Sequence, residues 1–431
     1  MADDLRLSGA QPSWRSECDI RYNYANLNQI IAAANTSGNQ AQLYSSDGGA
    51  TWSQTILPSA PGDVRQGDPA VDWTSDGTAW ALTVGISASN AVRCFKSTNA
   101  GQSWAFDSTV SGSQTNVDKP VLWVDHSPSS PHRDNMYALW WNHGPTYISR
   151  RVGAAGAWGA PQQISAGETT VGSDGGDVKT NAFGDVYVFW PSENERTLNF
   201  AKSTDGGVTY SAPAKIADTF AFFLYSIPAA ENSRGVLLYV SGGAWSTGTD
   251  DLAYVVWMDL AGGAGCNSPA DEPGSNVNST CKTRIWFSRS TDGGAHWSAP
   301  VKLNDQPSLN DQFYPRLAVD ETSGDLMVVY YDTVNDPTRL KTDVWMQSST
   351  DFGQSWSAAQ LVTSAETDET SPGANINQRG DYIGLTGYAG QFFACWADRR
   401  SGGSEEIWGA ALPLVTTPDF TLFLIAALSA R

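Results

Sequence analysis

The chain has 431 residues, of which 41 are glycine and 18 tryptophan, with 16 % charged residues and a formal net charge of −19. That length exceeds one ordinary domain unless the fold grows by repeating a unit, and a turn-rich, aromatic-rich, sparsely charged composition points to short strands in an all-β protein. The acidity excludes nucleic acid and anionic membrane as partners, since both need Lys/Arg clusters, and no apolar run approaches the roughly 20 residues that cross a bilayer.

In chain order, Met1-Ala2-Asp3-Asp4 lacks the basic region and apolar core of a secretion leader, and the chain is read as beginning at the mature end of a secreted or extracellular protein. Leu5-Arg6-Leu7-Ser8 is a spare strand. Beyond it one phrase recurs at roughly 50-residue spacing: Ser45-Ser46-Asp47-Gly48-Gly49-Ala50-Thr51-Trp52, Ser97 to Trp104, Ser203 to Tyr210, Ser290 to Trp297 and Ser349 to Trp356, with a worn sixth copy from Ser149 to Trp158. Each phrase is a hairpin device. Asp, Asn and Ser side chains bond nearby amides, glycine takes left-handed positions, and the aromatic tucks beneath the turn. A structural role is therefore expected for Asp47, Asp205, Asp292 and Asp351.

Before each phrase stand an inner strand opening near an acidic residue and a second strand ending in Trp or Asp. Examples are Gly67-Asp68-Pro69-Ala70-Val71, Asp118-Lys119-Pro120-Val121-Leu122, Asp177-Val178, Tyr314-Pro315-Arg316-Leu317 and Gly380-Asp381-Tyr382-Ile383. Alternating apolar and small residues fit strands packed on both faces. The units run 14–58, 64–110, 115–165, 171–217, 222–304, 309–364 and 376–415, which makes seven four-stranded blades; six result if the third merges with a neighbour. The last unit lacks a phrase and a fourth strand, and the N-terminal strand is expected to close the ring. Residues 1–415 then form a single domain, and 416–431 read as a tail or truncated linker.

The phrase resembles the Asp-box (BNR) repeat of sialidase-like β-propellers, and the resemblance covers most of the chain. It implies an all-β propeller and a carbohydrate-related function. Sialidases proper have six blades, three arginines on the sugar carboxylate, a Tyr nucleophile assisted by Glu, and an Asp acid/base. The family's Arg-Ile-Pro motif has its nearest match at Tyr225-Ser226-Ile227-Pro228-Ala229, followed by Gly235-Val236-Leu237-Leu238 as the family's next strand. Ser226 cannot replace a bidentate, always-charged arginine. Arg316, Arg379 and Arg399 could supply another set, though no motif assigns them.

In such a fold the inner-strand starts share one mouth, and the Asp-box turns lie on the opposite face. The mouth is expected to gather Glu17, Asp68, Asp118, Asp174 or Asp177, Asp311 and Asp381, with Tyr314, Arg316 and Arg379 among them. Asp and Asn also open strands simply by capping turns. Paired carboxylates suit glycosidic cleavage, one kept protonated beside another. Asp68, Asp118 and Asp381 are the candidate catalytic residues; Glu17, Asp177, Asp311, Tyr314, Arg316 and Arg379 are the candidate substrate-binding ones. The expected function is glycoside hydrolysis on a glycan partner, with a non-catalytic lectin or adhesion propeller as the alternative.

No cofactor is required by this chemistry. A structural calcium ion fits an acidic mouth, but four scattered histidines give no zinc spacing. Cys266 and Cys281 bracket a Gly/Pro/Asn/Ser-rich insertion, 261–282, at a spacing that suits a disulfide. The insertion falls between the second and third strands of the fifth unit and is expected to shape the pocket. Cys18, Cys94 and Cys395 lie in apolar strand contexts, and Asn35-Thr36-Ser37 and Asn278-Ser279-Thr280 match the glycosylation tripeptide.

Overall fold

The computed structural model describes residues 4–9, 13–165, 174–192, 195–221, 224–225, 230–272, 276–375 and 378–415. Seven four-stranded antiparallel sheets follow one another along the chain. Their inner strands are Ser16–Tyr22, Arg65–Trp73, Val117–Val124, Asp177–Thr180, Val240–Ser246, Gln312–Val319 and Gly384–Tyr388. Each inner strand touches the next and the last touches the first, so the sheets are the blades of a closed β-propeller around a channel. The seventh blade takes its outermost strand from the N-terminus, with Leu5 opposite Gly409 and Arg6 opposite Trp408. That clasp leaves no unpaired edge at the seam.

One boundary differs from the sequence expectation. The fifth blade begins at Val240, and the segment before it forms a separate hairpin, Leu224–Tyr225 with Val236–Leu237. The sequence match to the arginine motif lies outside the described residues from Ser226 to Ala229.

The strands are packed on both faces, so the blades share a continuous apolar interior, and polar staples join them near the axis. Asp19 Oδ2 accepts the Val71 amide at 2.9 Å, Asp72 Oδ2 the Val124 amide at 2.9 Å, and Asp177 Oδ2 the Gly242 amide at 2.9 Å. Ser241 and Thr386 hydroxyls do the same for Leu317 and Tyr22. Buried carboxylates bonded to amides are satisfied and hold register between sheets that share no ladder.

The repeated phrases act at the opposite face. Ser45 Oγ accepts the Gly49 amide at 2.9 Å and donates to Asp47, Asp47 accepts the Thr51 amide at 2.9 Å, and the Trp52 indole donates to the Gly49 carbonyl at 2.9 Å. Hydrogen bonds from Thr51 hold the Asp47 carboxyl down to about 2. The second glycine of each box abuts the preceding blade. A Cβ on Gly294 (φ +94°) would lie 2.4 Å from the Phe200 ring, so the repeat tolerates no side chain there.

Candidate functional site

The mouth is built by a device the inner strands share. Glu17, Asp68, Lys119 and Tyr314 have φ of 53°, 55°, 47° and 51°, and the ladder slips at each: between Ser16 and Asp19, Gly67 and Ala70, Asp118 and Val121, Phe313 and Arg316. These are β-bulges, each with one extra residue that re-aims a side chain. Pro69, Pro120 and Pro315 follow three of them, because a bulge is where a strand tolerates a residue without an amide proton. The bulges thus converge two carboxylates, an ammonium and a phenol on the axis.

Lys119 is the hub. Its Nζ lies 2.5 Å from Asp381 Oδ2, 3.3 Å from Asp68 Oδ1 and 3.7 Å from Glu17 Oε1. Arg234, carried in by the hairpin before the fifth blade, clasps Asp381 with Nε and Nη2 and reaches Glu17 Oε1 at 3.4 Å. Tyr239 donates to Asp381 Oδ2 at 3.4 Å. Asn35 bridges two bulges, donating to Glu17 Oε2 at 2.6 Å and accepting the Asp68 amide at 2.8 Å.

Five carboxyl groups, those of Glu17, Asp68, Asp118, Asp174 and Asp381, share this space with two cations, and the proton affinities divide accordingly. Burial would raise Asp381, but Lys119 and Arg234 hold it below the usual range. Burial likewise opposes ionisation of Asp68, yet Lys119 and hydrogen bonds from Asp118 and Glu17 keep it low. The other three are pushed up. Burial takes Glu17 to about 8 against the pull of Lys119 and Asp174 to about 7, and burial with the neighbouring Asp68 charge takes Asp118 well above the ordinary value. With Glu17 and Asp118 protonated, Asp174 near its midpoint and two cations present, the five carboxyls leave the mouth within about one charge of neutral at pH 7. Asp118 and Asp68, both half-buried, are a protonated acid donating to an ionised partner.

Below this ring a pocket continues down the axis, lined by Asp19, Lys119, Tyr239, Tyr314, Arg316, Asp381 and Tyr382 among others. Tyr314 is buried, its hydroxyl donating to the Gly235 carbonyl at 3.3 Å. Lys119 lies 5.7 Å from the Tyr382 ring centroid.

The structure therefore brings Glu17, Asp68, Asp118, Asp381, Tyr314 and Arg316 to one site, and of the alternatives Asp174 and Asp177 it brings Asp174. It does not bring the rest. Asp177 sits deeper, paired with Lys179 and stapling Gly242. Arg379 is buried behind the mouth against Glu231, 5.2 Å from the Tyr331 ring. Arg399 bonds Ser371 and the Pro372 carbonyl.

Asp311 is a correction in place: it is fully buried and accepts Arg339 Nε and Nη2 at 2.8 Å each. Arg339 also bonds the Ser279 and Cys281 carbonyls, so Asp311 anchors the insertion closed by the Cys266–Cys281 disulfide. Tied outward in this way, the insertion contributes none of its described residues to the mouth pocket. Lys119, Arg234 and Tyr239 were not singled out from sequence; Lys119 occupies the bulge position held by Glu17 and Asp68 elsewhere, which is the signal that marks it. Among the described residues no group of three or more His, Cys, Asp or Glu is disposed to hold a metal ion. Lys119 and Arg234 fill the place where a calcium ion would meet the mouth carboxylates.

No family model and no curated protein matches the chain. Among solved structures, it is similar to the phage phi92 endosialidase at 10% identity and a TM-score of 0.51, over 97% of this chain and 70% of that one. It is also similar to a protein of unknown function from Dyadobacter fermentans at 14% identity and a TM-score of 0.48, over 96% and 98% of the two chains. AofleA from Arthrobotrys oligospora follows at 10% identity and a TM-score of 0.46, over 85% and 91%. At such identities the likeness is one of fold. No helix of the described residues is long and apolar enough to cross a membrane.

Proposed function

We propose that the channel mouth binds a glycan and cleaves a glycosidic bond, with Asp118 as the proton donor. The observation that carries this reading is the contact of Asp118 with Asp68 at the mouth: burial, with the neighbouring Asp68 charge, pushes the Asp118 carboxyl well above its ordinary value, which is what general acid catalysis at neutral pH requires. Two carboxyls in hydrogen-bond contact are too close to flank a glycosidic bond as acid and nucleophile, which stand roughly 5 Å or more apart. The pair therefore acts as one proton-transfer unit, burial and the Asp68 charge together raising the affinity of Asp118. Asp381, fully engaged by Lys119, Arg234 and Tyr239, is a positioning residue that fixes the hub cation.

The five Asp-box copies support kinship with the sialidase-like propellers. The disulfide supports a secreted or extracellular setting, since such bonds persist in oxidising compartments.

The test is a reducing-sugar assay over a panel of glycans. Asp118→Asn and Asp68→Asn should each lower turnover by roughly 10²-fold or more, the usual weight of a general acid. Unchanged turnover in both removes the catalytic assignment. Glycan retention without product release by the unmodified protein would favour the lectin reading, for which the unfilled hydrogen-bonding capacity of Asp19 in the pocket wall speaks.

A further inference from the structure

Four basic side chains stand in or behind the mouth, and three of them donate hydrogen bonds to carboxylates. Lys119 is shared by Asp381, Asp68 and Glu17, Arg234 by Asp381 and Glu17, and Arg379 is paired with Glu231. The segments outside the described residues hold no Lys or Arg except Arg431. Arg316 is different. It lines the pocket, half-buried, with Nη2 3.7 Å from Asp19 Oδ1, a distance that is an ion pair and not a hydrogen bond. Its guanidinium makes no hydrogen bond within the described structure. Asp19, 4% exposed, uses Oδ2 on the Val71 amide at 2.9 Å, while its Oδ1 accepts no hydrogen bond. A buried acceptor and a fork of donors thus face the same cavity with their bonds unmade, which is costly unless something fills them.

We propose that Asp19 and Arg316 are the sugar-reading pair of this mouth and that they take an uncharged pyranose by two neighbouring hydroxyls. One hydroxyl donates to Asp19 Oδ1, and the other accepts from the Arg316 guanidinium. A hydroxyl both donates and accepts, so adjacent hydroxyls match an acceptor beside a donor. A sugar carboxylate matches neither need. It has no proton to give Asp19 Oδ1, and it would meet a guanidinium already paired with the Asp19 carboxylate, so it gains little from either group. The ring faces of Pro69, Pro120, Pro315 and Tyr382 supply apolar wall to the pocket. This assignment rests on the glycan reading of the same mouth.

The experiment is a glycan array of neutral oligosaccharides alongside uronic- or sialic-acid-terminated counterparts, run with the unmodified protein, Asp19→Asn and Arg316→Gln. The expected result is retention of neutral glycans and not of acidic ones. Asp19→Asn keeps an oxygen for the Val71 amide but leaves Arg316 uncompensated, so the acidic-to-neutral ratio should rise roughly tenfold or more. Arg316→Gln, on a half-buried side chain, should weaken neutral binding by a similar factor. Acidic glycans held as well as neutral ones, or a ratio unmoved by Asp19→Asn and neutral binding unmoved by Arg316→Gln, would overturn the pair while leaving a glycan site. Retention of no glycan at all would overturn the glycan reading, and the pair with it.

Discussion

Replacing Lys119 with methionine removes the cation that three carboxyls share and keeps the length and apolar stem of the side chain. Lys119 is 10% exposed and its partner Asp381 is fully buried, so the loss is that of a buried ion pair broken from one side, about 3–5 kcal/mol. Arg234 remains on Asp381, which places the expectation toward the lower figure. The effect depends on pH with a definite sign. Without Lys119 burial lifts the folded-state proton affinity of Asp68, whose ion pair is with Lys119, above that of the unfolded chain, and the folded variant then holds a proton that the unfolded chain releases. Its stability must fall as pH rises. Guanidinium denaturation followed by tryptophan fluorescence should show a deficit that is larger at pH 8 than at pH 5.5. Lys119→Met combined with Asp68→Asn should recover part of it, because among the described residues Asp68 pairs with no other cation and its stranded charge is then gone. A loss below about 1 kcal/mol at both pH values, with no recovery in the double variant, would show that Lys119 is not the hub.

Glu17→Gln should flatten the pH dependence of stability. Glu17 titrates near 8 in the fold against 4.5 unfolded, so its contribution is present below 4.5 and lost as pH rises through 8; removing it lifts a slope of about 1.4 kcal/mol per pH unit between pH 5 and 8, and an unchanged slope in denaturation midpoints would contradict the assignment. Gly294→Ala should cost several kcal/mol, since its Cβ would meet Phe200 at 2.4 Å, whereas Gly402→Ala, also at positive φ but with open space around it, reports the backbone cost alone. Equal melting temperatures for the two would refute the blade-contact role of the second glycine of the repeat. Replacing Cys266 and Cys281 together by alanine opens a 15-residue ring and should lower stability by about 3 kcal/mol with glycan turnover retained, measured by thermal melts and the reducing-sugar assay.

The repeat made the fold legible: five boxes fix blade spacing, and the missing fourth strand of the last unit points to Leu5–Arg6 as its substitute. The mouth was legible where the repeat carries acids into the bulge, as at Glu17 and Asp68. It was obscured where the same slot holds another residue type. Lys119 reads as an ordinary strand lysine until the bulge turns it inward. Glu231, Arg234 and Tyr239 come from or beside a hairpin that has no counterpart in another blade among the described residues, so no internal comparison reveals them. Asp311 looks like one more strand-opening acid, yet it stands three residues before the bulge at Tyr314 and so meets Arg339 at the blade edge. On the four bulged strands, position relative to the bulge decides which side chain reaches the axis, whereas Asp174 and Asp381 reach it from just ahead of strands with unbroken register.

The most direct test is a crystal structure of the Asp118→Asn variant with a neutral glycan retained on the array. The account predicts a sugar ring in the axial pocket, two hydroxyls on Asp19 and Arg316, and a glycosidic oxygen within hydrogen-bond reach of position 118. A glycan bound on the Asp-box face or the outer blade edges, with the mouth empty, would contradict it.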